Sequence, residues 1–512
     1  MIFCLVAAGC YGIEEMVPAA GPGMTVIMLI VLPFVWGMPF GLVASELGSV
    51  RPQEGGYYKW VQEAFGEFWG FQAGWWRTVS IYIDNTLYVI LAGGYAATEW
   101  HLSSIQEFIL KAAMIIIFTY INVRGVKDVG IVSTVLSVIV IASFAAAAIV
   151  GFMHWSGGIG PLTPEPARNF ADWLYYIGAG ISVGMWMYSG YESMSTIAGE
   201  IEDPQVISKG TILSVPLIML VYILPTIAGL GSVGKWQLWG TEVGNIGYSD
   251  IFTTYIGPAS GVVFIVVSIL AQCSIYNTYI ASGSRGFFSL AGDHLAPPVL
   301  VKCDKKRGVP YVAVLSVGIV NLILCMLPFD VVVVVDVFML ISSYILVYLA
   351  ELRLRKTIPR EEYKFRIPGG KWFIYTLCIV PMTVAVISFF INGSDYFIGG
   401  MVGVATGPLL YAIWKRKYGG ITPKDPRTGL GFGDLKHISN IMFILSGLGA
   451  VGILFLPRYE AGLTSADYFG GIFAGYGNVQ TVIFVLIGAG TVITAVIGAV
   501  IRKLDGRAHT DG

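Results

Sequence analysis

Long apolar stretches alternate with short polar connections along almost the whole chain. A helix that crosses a lipid bilayer needs about 20 mostly apolar residues, and about 14 stretches of this chain meet that requirement. We expect helices rather than strands, because a helix satisfies its own backbone polar groups without water. The predicted spans cover residues 2–19, 23–45, 68–98, 106–122, 130–152, 172–198, 209–231, 255–288, 310–328, 331–352, 372–391, 396–414, 439–456 and 478–501.

The composition supports a membrane protein with many spans. Hydrophobic residues make up 55% of the 512 residues and charged residues only 12%, about half the share found in soluble domains. Mean hydropathy is +0.73. We therefore expect an all-α polytopic membrane protein.

Several function classes are excluded by the same sequence. A net charge of −1 gives no basic footprint for nucleic acid. The chain has no G-x-x-x-x-G-K-[ST] phosphate loop, so we do not expect it to use ATP. Its five histidines are dispersed, without metal-ligand spacing, and no motif pairs a nucleophile with a base. We expect neither an enzyme nor a bound metal or cofactor.

The basic residues predict the orientation of the chain. If the N-terminus faces the cytoplasm, most of the 31 lysine and arginine residues lie on the inward side, with long runs at 302–307, 353–371 and 415–436. This bias predicts that both termini lie on the cytoplasmic side of the membrane. We expect that membrane to be the plasma or cell membrane. The alternative for these runs is lipid-headgroup binding or regulation. No cleavable signal pattern precedes the first span, which we expect to stay in the membrane, and a start upstream of Met1 is left open.

The first predicted span is interrupted. Gly9 and Gly12 break its helical pattern, and Glu14 and Glu15 follow immediately. Ionisable groups inside a membrane usually face a partner or a watery cavity, and a broken helix at that depth lines such a cavity. Neighbouring residues on a helix point about 100° apart, so we expect only one of the two carboxylates to face it. The alternative is a kinked helix with its acids at the water interface.

A second break is predicted in the sixth span, where residues 188–192 read Tyr-Ser-Gly-Tyr-Glu. Gly190 accepts an unwound backbone, and the rings of Trp186 and Tyr191 offer faces for an ammonium group. Two interrupted helices of this kind are typical of the substrate site of a secondary transporter. The alternative is an aromatic helix that tolerates one glycine.

Asp84 lies near the middle of the third span, where an unpaired charge costs at least about 2.5 kcal/mol. We expect Asp84 to face the cavity; the alternative is an ion pair with Arg77 of the same helix. In the eighth span, residues 272–277 carry a polar stripe. This stripe either lines the same cavity or satisfies neighbouring helices.

Short motifs accompany these spans, namely Gly12-Ile13-Glu14, Pro52-Gln53-Glu54-Gly55-Gly56-Tyr57, Phe65-Gly66, Trp69-Gly70-Phe71, Tyr188-Ser189-Gly190-Tyr191-Glu192, Arg285 and Ala291-Gly292-Asp293-His294-Leu295-Ala296-Pro297. Together they resemble the amino acid–polyamine–organocation transporter superfamily over roughly residues 1–415. The resemblance implies two inverted five-helix repeats of the LeuT-like type, with helices 1 and 6 broken at the substrate site. Residues 1–415 would hold about 12 membrane helices, and 416–512 a cytosolic linker with two additional helices.

Within the superfamily, the likeness is greatest to the plant and protozoan polyamine-uptake branch. Asp84-Asn85-Thr86-Leu87-Tyr88 is similar to the third-helix motif of that branch, and Ser195-Thr196-Ile197-Ala198-Gly199-Glu200 to its sixth-helix motif. Two departures leave the substrate open. Residues 188–192 are nearer to the general amino-acid branches, whereas Cys10-Tyr11-Gly12 puts bulk where those branches have small residues.

The leading hypothesis is a secondary-active transporter that imports amino acids or polyamines by alternating access, coupled to protons. The alternatives are an amino-acid exchanger and, from another class, a transporter-like substrate sensor. The expected partners are the small-molecule substrate, protons and the lipid bilayer. The expected substrate-binding residues are Gly9, Cys10, Tyr11, Gly12, Glu14, Asp84, Trp186, Ser189, Gly190 and Tyr191. The expected coupling or gating residues are Glu14, Glu15 and Glu192.

Overall fold

The computed structural model describes residues 10–53, 55–124, 129–156, 169–191, 205–233, 236–240, 246–461 and 479–510. Within these ranges the chain is helical, apart from turns, loops and isolated β-bridges at Trp239–Ile246 and Lys424–Gly431. The helices are α1 (Ile13–Ala20), α2 (Pro22–Leu32), α3 (Met38–Val50), α4 (Tyr57–Phe65), α5 (Glu67–Trp100), α6 (Ser104–Arg124), α7 (Val129–Met153), α8 (Phe170–Met187), α9 (Gln205–Ser232), α10 (Tyr248–Tyr255), α11 (Pro258–Gly292), α12 (Tyr311–Leu324), α13 (Phe329–Thr357), α14 (Lys371–Ile391), α15 (Ser394–Tyr418), α16 (Asp434–Ala461) and α17 (Val479–Thr510).

Ten helical segments of the described chain are long and apolar enough to cross a membrane. One of them, Pro22–Val50, joins α2 and α3 through a π-helical turn at Pro33–Gly37. The chain is therefore a polytopic helical membrane protein, as its composition predicts. Every predicted span coincides at least in part with a helix. The count of about 14 crossings stays a prediction, because α1, α5, α8 and α12 are shorter or more polar than those ten segments.

The central helix is α5. It runs for 34 residues, about 51 Å at 1.5 Å per residue, and packs against both α11 and α13. Its buried residues include the polar side chains of Arg77, Asp84 and Asn85. Because a buried polar group is costly unless it is paired, these side chains mark where α5 makes specific contacts with its neighbours.

The packing of α1 and α8 positions the two broken segments. α1 packs against α8, and α2 packs against both α8 and α9. The short helix α4 lies against α5, and the short helix α10 lies against α11. Residues 10–12, the end of α8 and the middle of α5 meet inside the bundle, where Trp186 contacts both Gly12 and Asp84.

The C-terminal helices form a subsidiary unit. α16 and α17 pack chiefly on one another, and α15 contacts both. A second, small hydrophobic core joins them, formed by Phe397, Leu456, Tyr459, Ile483 and Ile487. Near the end of α15, Lys415 pairs with Glu67 at the start of α5, at 2.5 Å with both side chains buried. That ion pair ties α15 to the central helix.

Candidate functional site

Of the predicted first break, the structure describes residues 10–12, a non-helical segment directly before α1 that we call the first break. Gly12 has a left-handed backbone with φ 94°, which residues with a Cβ rarely adopt. A Cβ on Gly12 would lie 2.9 Å from Cζ3 of Trp186 and 3.4 Å from Cζ of Phe329. Glycine is therefore required both for the backbone angle and for the close approach of α8 and α13.

Of the predicted second break, the structure describes residues 188–191, directly after α8. The chain leaves the helix at Tyr188, and Gly190 has φ 105°. The indole nitrogen of Trp36 donates to the Ser189 hydroxyl at 3.0 Å and to a main-chain carbonyl of α8 at 3.1 Å. The Tyr188 hydroxyl donates to a main-chain carbonyl of α2 at 2.9 Å. The end of α8 is thus fastened to the segment that contains α2.

Asp84 lies beside the first break. Its Oδ1 accepts a hydrogen bond of 2.7 Å from Nε1 of Trp186, the same ring that covers Gly12. Tyr88 and Phe329 flank that indole, with ring centroids 5.7 and 5.6 Å away. Asp84 is only 5% exposed. A buried carboxylate among aromatic rings forms an environment that favours an ammonium group.

Glu14 forms a second buried acidic position. Its carboxylate accepts hydrogen bonds from the hydroxyl of Tyr95 and, at 3.3 Å, from the backbone N–H of Tyr248. Glu14 is 3% exposed, whereas Glu15 is half-buried. A Cβ on Gly240 would lie 2.6 Å from Oε2 of Glu15, so the two adjacent carboxylates contact different parts of the loop before α10. Glu14 is the buried member of the pair.

Asp84, Tyr88 and Tyr95 share one face of α5. Spacings of four and seven residues return to nearly the same angle on a helix of 3.6 residues per turn. The Cα atoms of Asp84 and Tyr95 are about 16 Å apart along the axis. Trp186 contacts this face at Asp84, and Glu14 contacts it at Tyr95. Two buried carboxylates therefore lie along one face of the central helix, at different depths.

Tyr11 and Cys10 lie with Glu14 rather than with Asp84. The Tyr11 ring is 5.7 Å from the ring of Tyr95 and 5.0 Å from that of Phe144, edge-on in both cases. The Cys10 thiol donates to a main-chain carbonyl of α9 at 2.7 Å. Both side chains are buried. The bulk that Cys10-Tyr11 adds to the first break thus fills the space around Glu14.

The other predicted site residues make different contacts. The Ser189 hydroxyl donates to a main-chain carbonyl of α8 at 2.6 Å, in addition to accepting from Trp36. Tyr191 is 1% exposed and packs near the π-helical turn after α2. Its hydroxyl has no hydrogen-bond partner within the described ranges. Gly9 and Glu192 lie outside the described residues.

The polar stripe of α11 mostly contacts neighbouring helices. The Tyr276 hydroxyl donates to Oδ1 of Asn321 at 3.1 Å. The side-chain oxygen of Asn277 accepts from Asn122 at 2.7 Å. Gln272 is fully buried, and neither of its amide atoms has a hydrogen-bond partner in the part of the chain that the structure describes. Tyr276 and Asn277 therefore satisfy polar groups of neighbouring helices, which is the second of the two alternatives given for the stripe.

Arg77 takes part in a buried polar chain that the sequence does not predict. Its Nη1 donates to the Ser80 hydroxyl at 2.8 Å, and that hydroxyl donates to Oδ1 of Asp336 at 2.6 Å. Asp336 belongs to α13 and is 1% exposed. This chain of hydrogen bonds joins α5 to α13 one helical turn before Asp84. Asp84 therefore has buried polar side chains close to it on the central helix.

Tyr95 and Tyr248 are the contacts of Glu14 that sequence reasoning missed. The spacing of Tyr95 from Asp84 places it on the same face of α5, and that spacing is a signal visible in the sequence. The contact of Tyr248 is made through its backbone N–H, which no side-chain pattern reveals. Among the described residues, no group of three or more His, Cys, Asp or Glu side chains is arranged to hold a metal ion.

Comparison with known proteins gives consistent matches along the chain. A family model described as amino acid permease matches residues 1–411. Polyamine transporter RMV1 of Arabidopsis thaliana is 28% identical over 455 residues, which are 86% of this chain and 88% of that protein. Polyamine transporter PUT1 of Oryza sativa subsp. japonica is 25% identical, over 84% of this chain and 81% of that protein. Serine/threonine exchanger SteT of Bacillus subtilis (strain 168) is 23% identical, over 74% and 86% respectively.

These matches confirm the resemblance that the motifs indicate, to the polyamine and amino-acid branches of the amino acid–polyamine–organocation superfamily. They also agree with the absence of a catalytic motif, because the matched proteins are transporters and permeases rather than enzymes. The matched region covers nearly all of the predicted transporter core. The chain belongs to the amino acid permease family.

Proposed function

We propose that this protein is a secondary-active transporter that imports amino acids or polyamines by alternating access, coupled to protons, and that polyamines are its preferred substrates. The observation that carries the proposal is the pair of buried carboxylates, Asp84 and Glu14, along one face of α5. The polyamine transporters of Arabidopsis thaliana and Oryza sativa subsp. japonica, similar over most of the chain, support it.

The two carboxylates favour a substrate with more than one ammonium group. An α-amino acid brings a carboxylate of its own, which two buried acids would repel. A polyamine is a flexible chain of ammonium groups without an anion. The Asp84 and Tyr95 positions are about 16 Å apart along the axis of α5, so the two acids offer separate positions to the ammonium groups of such a chain. The rings of Trp186 and Tyr88 would then contact the ammonium group at Asp84.

The same burial supports the proposal of proton coupling. A carboxylate inside a membrane protein needs a cation or a proton, since an unpaired charge is costly there. With two such acids, one can hold a substrate ammonium group while the other carries a proton, so that substrate and proton cross the membrane together. The helix α7, where some amino-acid members of the superfamily place a lysine, contains none. Glu14 is the buried candidate for the coupling group, and Glu15 and Glu192 remain proposed gating residues.

The architecture we propose is the LeuT-like one, with two inverted five-helix repeats and about 14 crossings. The first repeat would hold α1, α2 with α3, α5, α6 and α7, and the second α8, α9, α11, α12 and α13. Contacts of α1 with α8 and of α5 with α11 support this pairing, since they join the first and third helices of each half. Residues 1–415 would form the core and 416–512 a linker with two more helices. The charge bias supports cytoplasmic termini.

Uptake by purified protein in liposomes tests the proposal. We expect labelled spermidine to accumulate when the outside is acidified, and accumulation to collapse when the pH gradient is removed. Asp84→Asn should abolish uptake. Asp304→Asn, a matched change at a half-buried loop position, should leave it unaltered. Uptake that is independent of the pH gradient would overturn proton coupling. Failure to take up any polyamine would overturn the proposed substrate class.

An exchanger is the alternative, favoured by the similarity to the serine/threonine exchanger SteT. The same liposomes separate the two mechanisms. An exchanger requires internal substrate, so loading the liposomes with unlabelled serine or spermidine should stimulate uptake strongly. A transporter coupled to protons should take up label into empty liposomes. Uptake only into loaded liposomes, with or without a pH gradient, would establish exchange.

A further inference from the structure

A basic cavity lies where α13 ends and α14 begins. The connection between these helices folds over a cavity of about 520 Å³, a size typical of small-molecule sites. Its charged lining residues are all cations, and no carboxylate lines it. They are Arg355, Lys356, Arg360, Arg366 and Lys371.

Arg355 anchors the inner wall of the cavity. Its Nε lies 3.3 Å from Oε1 of Glu46, and its Nη1 lies 3.9 Å from Oε1 of Glu351. Both of these glutamate side chains are fully buried. The guanidinium group also donates to the carbonyl of Ile367 at 2.9 Å. Arg355 is therefore held in place by the protein, and the other four cations form the part of the cavity that is free to contact a ligand.

The other four cations of the cavity lining are not paired with carboxylates in the described ranges. Lys356 and Lys371 each place their ammonium group 5.9 Å from the centroid of the same ring, that of Tyr375. Two ammonium groups held near one ring repel each other, and an anion between them would relieve that repulsion. Within the described ranges, Lys356, Arg360 and Lys371 form no ion pair. The cavity lining thus carries five cations, and the two buried carboxylates behind it, Glu46 and Glu351, balance only part of that charge.

The position of the cavity points to the membrane surface. α13 and α14 are both long and apolar enough to cross a membrane, and the cavity lies where they emerge. Trp372 is 84% exposed and Phe373 48% exposed, directly after Lys371. Exposed aromatic residues at a span end are typical of the interface between lipid headgroups and water. Gly370, which precedes the first turn of α14, also lines the cavity, and a helix N-terminus favours anions.

We propose that this cavity binds a phosphate group, supplied either by the headgroup of an anionic phospholipid or by a soluble phosphate. Arginine and lysine together suit this ligand, because guanidinium groups bind phosphate oxygens in pairs and ammonium groups add charge. Basic pockets between membrane helices recognise lipid headgroups in the same manner. The bound phosphate would stabilise the junction of α13 and α14 beside the Glu46–Arg355 contact.

Thermal unfolding of the purified full-length protein in detergent tests this site. The probes are phosphatidylglycerol, phosphatidylcholine and inorganic phosphate, with chloride at matched ionic strength. The variant is Arg360→Gln/Arg366→Gln/Lys371→Gln, which spares Arg355. The control removes three exposed lysines outside the cavity lining, as Lys302→Gln/Lys306→Gln/Lys364→Gln. We expect phosphatidylglycerol to raise the melting temperature of the wild type and the control by roughly 2–4 °C.

The cavity variant should lose that shift. A shift with phosphatidylglycerol but not with phosphatidylcholine or inorganic phosphate assigns a lipid as the source. A cavity-dependent shift with inorganic phosphate assigns a soluble source. Equal shifts in the wild type and the cavity variant, or no shift with any probe, overturn the site. If the triple variant does not purify in folded form, Arg360→Gln and Lys371→Gln are tested singly, and full retention of the shift in both overturns the proposal.

Discussion

The indole N–H of Trp186 donates a 2.7 Å hydrogen bond to Asp84, and the ring of the same indole closes over Gly12. One side chain of α8 therefore contacts the central helix and the first break together. An ammonium group that reaches Oδ1 of Asp84 competes with this indole. Under the proposed function, binding at Asp84 would thereby be coupled to the contact between α8 and the segment before α1, the two places where the resemblance implies broken helices.

Replacing Gly12 by alanine tests the close approach at the first break. Gly12→Ala combines a strained left-handed backbone, about 1–2 kcal/mol, with an overpacked contact to Trp186, about 1–3 kcal/mol. Gly419→Ala is the matched control, because Gly419 has φ 110° and ψ −41°, close to the 94° and −17° of Gly12, and its Cβ position meets only Cε of Lys424, at 3.9 Å. We expect Gly12→Ala to lower the melting temperature more than Gly419→Ala and to abolish the spermidine-induced shift. Equal losses in the two variants would contradict this account.

The contact between Tyr95 and Glu14 is tested by a double-mutant cycle. Tyr95→Phe removes a hydrogen-bond donor from a buried carboxylate, which costs about 1–3 kcal/mol. In a Glu14→Gln background the same change should cost less, so the two effects should not add. Tyr120→Phe, at a position 56% exposed, serves as the control and should have little effect. Chemical unfolding measures the free energies, and strict additivity would argue against the contact.

Asp250, in the short helix α10 outside the predicted membrane spans, predicts a pH dependence. Burial raises the pKa of its carboxyl group, the N–H of Gly247 lowers it in part, and Glu99 raises it further. The folded state therefore binds this proton more tightly than the unfolded state, and stability falls as pH rises through the folded pKa. Asp250→Asn removes this effect and keeps a side-chain acceptor for Gly247.

Melting temperatures at a series of pH values check the sign of the Asp250 effect. As pH rises from about 4 through the folded pKa, Asp250→Asn should become progressively more stable relative to the wild type, and at higher pH the difference should stay constant. A difference that is constant with pH would contradict the cause given, and one that grows toward acid would reverse its sign.

The ion pair between Lys415 and Glu67 predicts a large loss of stability. Both side chains are buried, and Glu67 also accepts from the backbone N–H of Thr422 at 2.6 Å. Lys415→Met leaves a buried carboxylate without its cation, which costs about 3–5 kcal/mol. Lys417→Met, an exposed position two residues later, should cost little. A loss below about 1 kcal/mol for Lys415→Met would show that the pair behaves as a surface pair.

Sequence reasoning predicts the helices and the buried Asp84 because these depend on local pattern. A single acid inside a long apolar run is visible without any tertiary information. Which of Glu14 and Glu15 is buried is not predictable from the sequence, because it depends on where α1 begins after Gly12. A shift of one residue in that starting point would exchange the directions of the two side chains.

Contacts between distant segments are the features that sequence reasoning mainly fails to predict. The sequence does not predict that the Ser189 hydroxyl donates to a main-chain carbonyl of α8 and accepts from Trp36, and the substrate contact of Ser189 stays a prediction. The pairing of Glu14 with the backbone of Tyr248 depends on how the loop before α10 folds over α1. No periodicity in either segment predicts such contacts, because they join residues 153 positions apart, for Trp36 and Ser189, and 234 positions apart, for Glu14 and Tyr248.

Spermidine binding to the wild type and to Asp84→Asn is the most direct test of the central claim, that buried carboxylates on α5 and α1 hold a polycation. Calorimetric titration should give a dissociation constant at least about 30-fold higher for Asp84→Asn, equivalent to about 2 kcal/mol for a buried charge contact. Asp304→Asn should match the wild type. Equal spermidine affinity in the wild type and Asp84→Asn would contradict the claim, as would binding of neutral amino acids alone.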